Sequence, residues 1–190
     1  MNSYFSEAGI FLIDVIFGFL ILIVMLRFLL QWTRADFYNP ISQFIVKVST
    51  PMLNPFRRII PGVAGLDMAA ITLMLILKYV ETLLTFILSG IPVHLLVILI
   101  LSITGLIKLL LYVFIFAIII SAIASWISPG GYNPMLKLIS QLTAPVMRPI
   151  QGLVKPMSGM DLSPLVALLV LNLMVMAIPH LERGLLGLFV

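Results

Sequence analysis

The chain has 190 residues, of which 62% are hydrophobic and only 9% charged, with a mean hydropathy of +1.24. A soluble domain carries about 25% charged residues, so the composition excludes a soluble globular fold and describes a protein embedded almost wholly in a bilayer. Net charge is +4, too small and too divided an excess for nucleic-acid binding, and the absence of cysteine excludes disulfides, thiol nucleophiles and Cys-ligated zinc.

A spanning helix needs about 20 apolar residues. In chain order the candidates are residues 9–32, 68–89, 106–126 and 162–179. The segment before the first carries Glu7 and no Lys or Arg. A cleaved signal peptide has a basic start, so residues 9–32 are expected to be a retained span. Residues 92–126 are apolar throughout, and as one helix would be roughly 52 Å long against a hydrocarbon core of ~30 Å. Residues 93–105 are therefore expected to form an outer interfacial helix that breaks near Ser102–Gly105, with a fifth span as the alternative.

One string occurs twice, 94 residues apart and without a gap. The first copy is Trp32, Tyr38-Asn39-Pro40, Pro51, Pro55, Gly65 and Asp67; the second is Trp126, Tyr132-Asn133-Pro134, Pro145, Pro149, Gly159 and Asp161. A repeat sets the architecture: residues 1–90 form one unit, 91–105 an outer segment and 106–190 a second unit. Each motif loop, 33–67 and 127–161, lies between two spans. The loops hold Arg34, Lys47, Arg57 and Arg58, and Lys137, Arg148 and Lys155. The positive-inside rule puts both in the cytoplasm and both termini outside. The expected fold is all-α, with four transmembrane helices in two parallel tandem repeats, short amphipathic cytoplasmic helices and a pseudo-twofold along the membrane normal.

Asn39-Pro40 and Asn133-Pro134 read as helix starts, Asn as the cap and Pro at the first helical position. Ile41, Phe44, Ile45 and Val48 then form an apolar stripe against Ser42, Gln43 and Lys47. Met135, Leu138, Ile139 and Leu142 repeat it against Lys137, Ser140 and Gln141. These helices suit the membrane surface. Pro51 and Pro145 are expected to end them after about ten residues, and Pro55 and Pro149 to start a second short segment. Lys47, Arg57, Arg58 and Arg148 are expected to meet anionic lipid headgroups. Asp67 and Asp161 each precede a span and read as N-caps, with a paired carboxylate site as the sharper alternative. Trp32, Trp126, Tyr38 and Tyr132 read as interfacial anchors.

The run from Asp36-Phe37-Tyr38-Asn39-Pro40 through Pro55-Phe56-Arg57-Arg58-Ile59-Ile60-Pro61 to Gly65-Leu66-Asp67 resembles the YggT family of bacterial and plastid membrane proteins, over nearly the whole chain. The second copy departs from that pattern: Gln151 and Gly152 replace the Arg pair, and Lys155-Pro156 replaces Pro61-Gly62. The resemblance implies a bacterial inner-membrane protein, with links to osmotic and ion homeostasis, to the neighbourhood of cell-division genes and, in plastids, to cytochrome assembly.

Charged residues inside spans are costly, at about 2.5–3.5 kcal/mol each near the bilayer centre. Lys78 and Glu81 share one helix face and read as a self-neutralising pair or as part of an ion pathway. Asn172 is the repeat equivalent of Lys78. Asp14 and Lys108 occupy equivalent positions, and are expected either to meet across the pseudo-axis or to snorkel separately. Ala117, Ser121 and Ser125 mark a close-packing face. His94 and His180 map to the outer interface with no spacing that would fix a metal or haem. No nucleophile–base pair, phosphate loop or metal cluster is evident, so no catalytic, cofactor-binding or metal-ligating residue and no cofactor is expected. The expected function is that of a non-enzymatic protein that supports ion homeostasis or organises other membrane proteins, as a homo-oligomer or with partners. The rival is a channel or transporter that moves a cation itself.

Overall fold

The computed structural model describes residues 2–127, 133–154 and 161–187. Its elements are α1 (Asn2–Trp32), α2 (Pro40–Arg57), α3 (Met68–Leu88), α4 (Leu95–Ile127), α5 (Pro134–Leu153) and α6 (Ser163–Leu186). Helices α1, α3, α4 and α6 are long and apolar enough to cross a membrane. Two spans separate the copies, so the repeats run parallel.

The spans pack in a row: α1 on α3, α3 on α4, α4 on α6. Amphipathic α2 rests on α1 and α3, and α5 rests on α4 and α6. The core is built from Val24, Leu29 and Leu30 of α1 with Ala70 and Leu73 of α3, and from Phe114 and Ile118 of α4 with Ala167 and Leu171 of α6. The repeats join along the edge between α3 and α4. The contact that a closed twofold would require in return, α6 on α1, is not among the packed pairs.

Three expectations are corrected. Residues 93–105 are not a separate helix, because α4 runs unbroken for 33 residues from Leu95. The residues expected to break it are absorbed. Ser102 Oγ donates to the Ile98 carbonyl at 2.6 Å, and the Thr104 hydroxyl is turned to a partner on α6. Gly105 serves packing: a Cβ there would lie 2.9 Å from Lys78 Cε of α3. A helix of this length exceeds the ~30 Å core and must tilt or project beyond it.

The prolines do not end the motif helices. Pro51 and Pro55 lie inside α2, and Pro145 and Pro149 inside α5. An interior proline removes one helical N–H and frees the carbonyl four residues back. Pro51 and Pro55 stand one turn apart on the exposed face, so the carbonyls they free face outward, where solvent or headgroups can serve them. Likewise α6 continues through Pro179 to Leu186.

One residue of α2 departs from the expected faces: Ser42, expected on the polar side, is buried in line with Ile45, Ser49 and Leu53, while Phe44, 58% exposed, stays on the outer apolar stripe. Small hydroxyl residues let α2 approach the spans closely, and Ser49 Oγ is satisfied by the Ile45 carbonyl at 2.7 Å. Gln43 and Lys47 are exposed, as expected.

Candidate functional site

The two Tyr-Asn-Pro motifs lie at one end of the bundle and touch. Helix α1 closes with Arg34 at φ +52°, its N–H bonded to Gln31 O and that of Ala35 to Leu30 O. This is the paired-carbonyl stop usually made by glycine, and it turns the chain sharply into the motif. Asn39 then caps α2: its Oδ1 accepts from Ile41 N at 2.9 Å. Its Nδ2 donates to the Pro134 carbonyl of the other copy at 2.7 Å. Asn39 is buried, whereas Asn133, which caps α5 through Met135 N at 2.9 Å, is exposed. Helix α5 also grips the first copy through Gln141 Oε1, which accepts from Asp36 N at 2.9 Å. Lys137 Nζ reaches Asp36 Oδ2 at 3.5 Å, an exposed pair of small worth. Tyr38 is 90% exposed.

Each motif ends in a carboxylate held by the residue ten positions before it. Asp67 is buried, caps α3 through Ala70 N at 3.2 Å, and is clasped by Arg57, whose Nε lies 3.2 Å from Oδ2 and whose Nη2 completes an ion pair. Arg57 is thus turned to Asp67; of the four cations expected to meet lipid, Arg58, Lys47 and Arg148 are exposed. The second copy has the same geometry without the charge: Gln151 Nε2 donates to Asp161 Oδ2 at 3.2 Å. The Asp161 carboxyl is held below the usual carboxylate range by the Ser163 hydroxyl and backbone N–H, with Gln151 adding and desolvation opposing. The N–H makes the well-formed bond, at 2.9 Å, and the hydroxyl acts only as a nearby dipole. Before Asp67 the chain reverses at Val63–Leu66 with Ala64 at φ +53° and Gly65 at φ +82°. Two central residues at positive φ mark a primed turn, which accounts for Gly65.

Within the spans, Lys78 Nζ and Glu81 Oε1 pair at 2.7 Å, with Glu81 buried. Asn172 does not join them. It is exposed on α6, its Nδ2 bonded to the Leu168 carbonyl at 2.7 Å. Asp14 is exposed and forms no ion pair with Lys108. The expected link across a pseudo-axis is absent because α1 and α4 face each other across a groove instead of packing. That groove, of ≈710 Å³, is walled by α1, α2, α4 and α5, including Leu26, Ile45, Tyr112, Phe116, Ala117 and Leu138. Ala117 thus opens on the groove, and Ser121 is half-buried beyond it. The side chains of Ser125 and Trp126, and all of Tyr132, Lys155 and Gly159, lie outside the described residues. His94 and His180 are both exposed.

Two features escaped sequence reasoning. Thr104 Oγ1 of α4 donates to Glu182 Oε1 of α6 at 2.6 Å, a bond that only the fold reveals. Arg27 lies in α1 with its guanidinium carbon 5.2 Å from the Phe37 ring centroid. A lone cation in an apolar span is itself a signal, and Arg27 carried it.

Four apolar helices in two tandem units, with paired motif helices at one end, define a two-repeat multi-pass membrane protein. The chain belongs to the CCB3/YggT family, whose sequence profile matches residues 6–88 and 100–181, one segment in each half. It is similar to uncharacterized protein PA0392 of Pseudomonas aeruginosa, 44% identical over 175 residues that cover 91% of this chain and 89% of that one. The uncharacterized protein YggT of Escherichia coli K12 is 33% identical over 175 residues, covering 92% and 90%. An uncharacterized Vibrio alginolyticus protein from the proC 3′ region is 40% identical over 159 residues, covering 82% and 85%. No solved structure matches the chain.

Proposed function

We propose that this is a non-enzymatic protein of the bacterial inner membrane that supports ion or osmotic homeostasis by organising other membrane proteins, without conducting ions itself. The observation that carries this reading is the groove between the repeats. Among its lining residues only Tyr112 has a polar N or O in its side chain, whereas a path for a cation needs carbonyls, carboxylates or water. An apolar cleft between spans suits an acyl chain or a partner helix. The Lys78–Glu81 pair neutralises itself, and Asn172 lies apart from it, which argues against a polar file through the bundle. We place both motif loops in the cytoplasm, because Arg34, Lys47, Arg58, Lys137 and Arg148 lie on that side and residues 89–94 carry no Lys or Arg. The osmotic part of the proposal comes from the family resemblance alone.

Complementation of a deletion strain under osmotic upshift tests this. Ala117→Trp, which fills the groove, should fail to complement although it accumulates in the membrane, while the neutral double variant Lys78→Met, Glu81→Gln should complement. The opposite pattern would favour a conduit.

A further inference from the structure

Arg27 has charged donors that its own chain does not serve. Its Nε and Nη1 are fully buried and have no hydrogen-bond partner. Phe37 covers the guanidinium, but a ring engages the flat face of that group, and its N–H bonds leave from the edge. Arg27 also lines a cavity of ≈410 Å³, together with Phe37, Gln43, Val46 and Lys47. Cations from two helices converge there, an amide adds donors, and no carboxylate lines the cavity. Arg57 and Asp67 are the other charges that act on Arg27. Asp67 is already engaged by Arg57 and by the α3 cap, so the cavity keeps an excess of positive charge. Such a fork beside an ammonium suits a phosphate.

The surroundings identify its source. Arg27 is five residues before Trp32, about 7 Å inside the end of the span. Phe44, next to Gln43 on α2, is exposed, whereas Ile23 and Val24, one turn below Arg27 on α1, are buried in the bundle. The cavity thus meets apolar medium at its lip beside Phe44, where the acyl chains of a lipid with its headgroup at Arg27 would leave it. The second repeat lacks the site: the equivalents of Arg27, Phe37 and Lys47 are Ser121, Gly131 and Gln141.

We propose that Arg27, Lys47 and Gln43 hold the phosphate of one anionic phospholipid per chain, beside Phe37. Native mass spectrometry of the purified full chain, loaded with phosphatidylglycerol or phosphatidylcholine, tests it. Wild type should retain one phosphatidylglycerol per chain and about tenfold less phosphatidylcholine. Arg27→Gln and Lys47→Gln should each lower phosphatidylglycerol retention, by about tenfold and severalfold, and Arg58→Gln, outside the cavity, should leave it unchanged. Gln43→Glu places a carboxylate beside Arg27 on an exposed position, so it should expel the lipid without harming the fold, and it decides the matter if Arg27→Gln does not accumulate. Retention unaffected by Lys47→Gln and Gln43→Glu would overturn the site. Equal loss in Arg58→Gln would reduce it to general surface charge and overturn it too. Displacement by millimolar inorganic phosphate would overturn the assignment to lipid in favour of a free anion.

Discussion

Asn39 donates its side-chain amide to the Pro134 carbonyl at 2.7 Å, so the two copies of the repeat are joined at the motif that defines them. The joint is one-sided. Asn39 is buried and uses both ends of its amide, one to cap α2 and one to reach across, while Asn133 is exposed and caps α5. Identical residues in equivalent positions therefore carry different loads.

Asn39→Ala should lower thermal stability in detergent by about 2 kcal/mol, about one from the cap and one from the cross-repeat bond. Asn133→Ala should lose only the cap, about 1 kcal/mol. Asn39→Asp keeps the cap acceptor and removes the donor, so it should lose about 1 kcal/mol, the cross-repeat bond alone. Equal losses for the two alanine variants would show that the cross-repeat bond contributes nothing.

The clasps predict a second asymmetry. Arg57→Gln copies the second repeat into the first and should cost about 1–2 kcal/mol, a figure reduced for the partial exposure of Arg57. Gln151→Arg should be neutral or stabilising, since Asp161 would gain an opposite charge. Chemical denaturation of the detergent-solubilised variants reads both.

Asp161 also sets a pH dependence. Its folded pKa is depressed, so the stability it contributes is present above the ordinary carboxylate pKa of about 3.9 and is lost as pH falls through the lower folded value. Asp161→Asn should remove that acid-side loss from the melting profile below about pH 4. An unchanged profile would mean that the carboxylate is not linked to folding.

Lys78 and Glu81 should be separable only together. Each single change leaves an unpaired charge and should lower yield, and Lys78→Met with Glu81→Gln should restore it. Gly105→Ala meets the flexible end of the Lys78 side chain, so it should carry a steric cost that about cancels the helix-propensity gain of roughly 1 kcal/mol. A Lys78→Ala background should relieve that cost, and a double-mutant cycle reads the coupling.

The spans, the repeat and the caps Asn39, Asn133 and Asp67 were legible because run length and the Asn-Pro and Asp signals are local; Asp161, also expected to be a cap, stands one residue before the N-cap Leu162 of α6. The start of α4 was not, because hydropathy says where a chain is apolar but not where a helix stops, and hydroxyls that bond back into their own helix look like breakers in a sequence. The prolines misled for a related reason: their penalty depends on which face carries the freed carbonyl. Arg57 was read as lipid-facing although Gln151 stands at the same offset from Asp161, a donor–carboxylate pairing already visible within the sequence. The Asp14–Lys108 expectation needed a closed twofold, and the repeats instead share one edge.

The orientation in the membrane can be read directly. Cysteines introduced at Gln43 and Ser140, both exposed on the motif helices, should resist an impermeant thiol reagent in intact cells, and one at Gly90 should react. Labelling at either motif helix would reverse the assignment of that loop.

The central claim, that the protein does not itself carry ions, is tested most directly by cation flux from potassium-loaded liposomes containing the purified chain. The account predicts release no faster than from protein-free liposomes at equal lipid composition, and no change with Lys78→Met, Glu81→Gln. Release that scales with the amount of protein and is abolished by that double change would contradict it, and would make the Lys78–Glu81 pair part of a pathway.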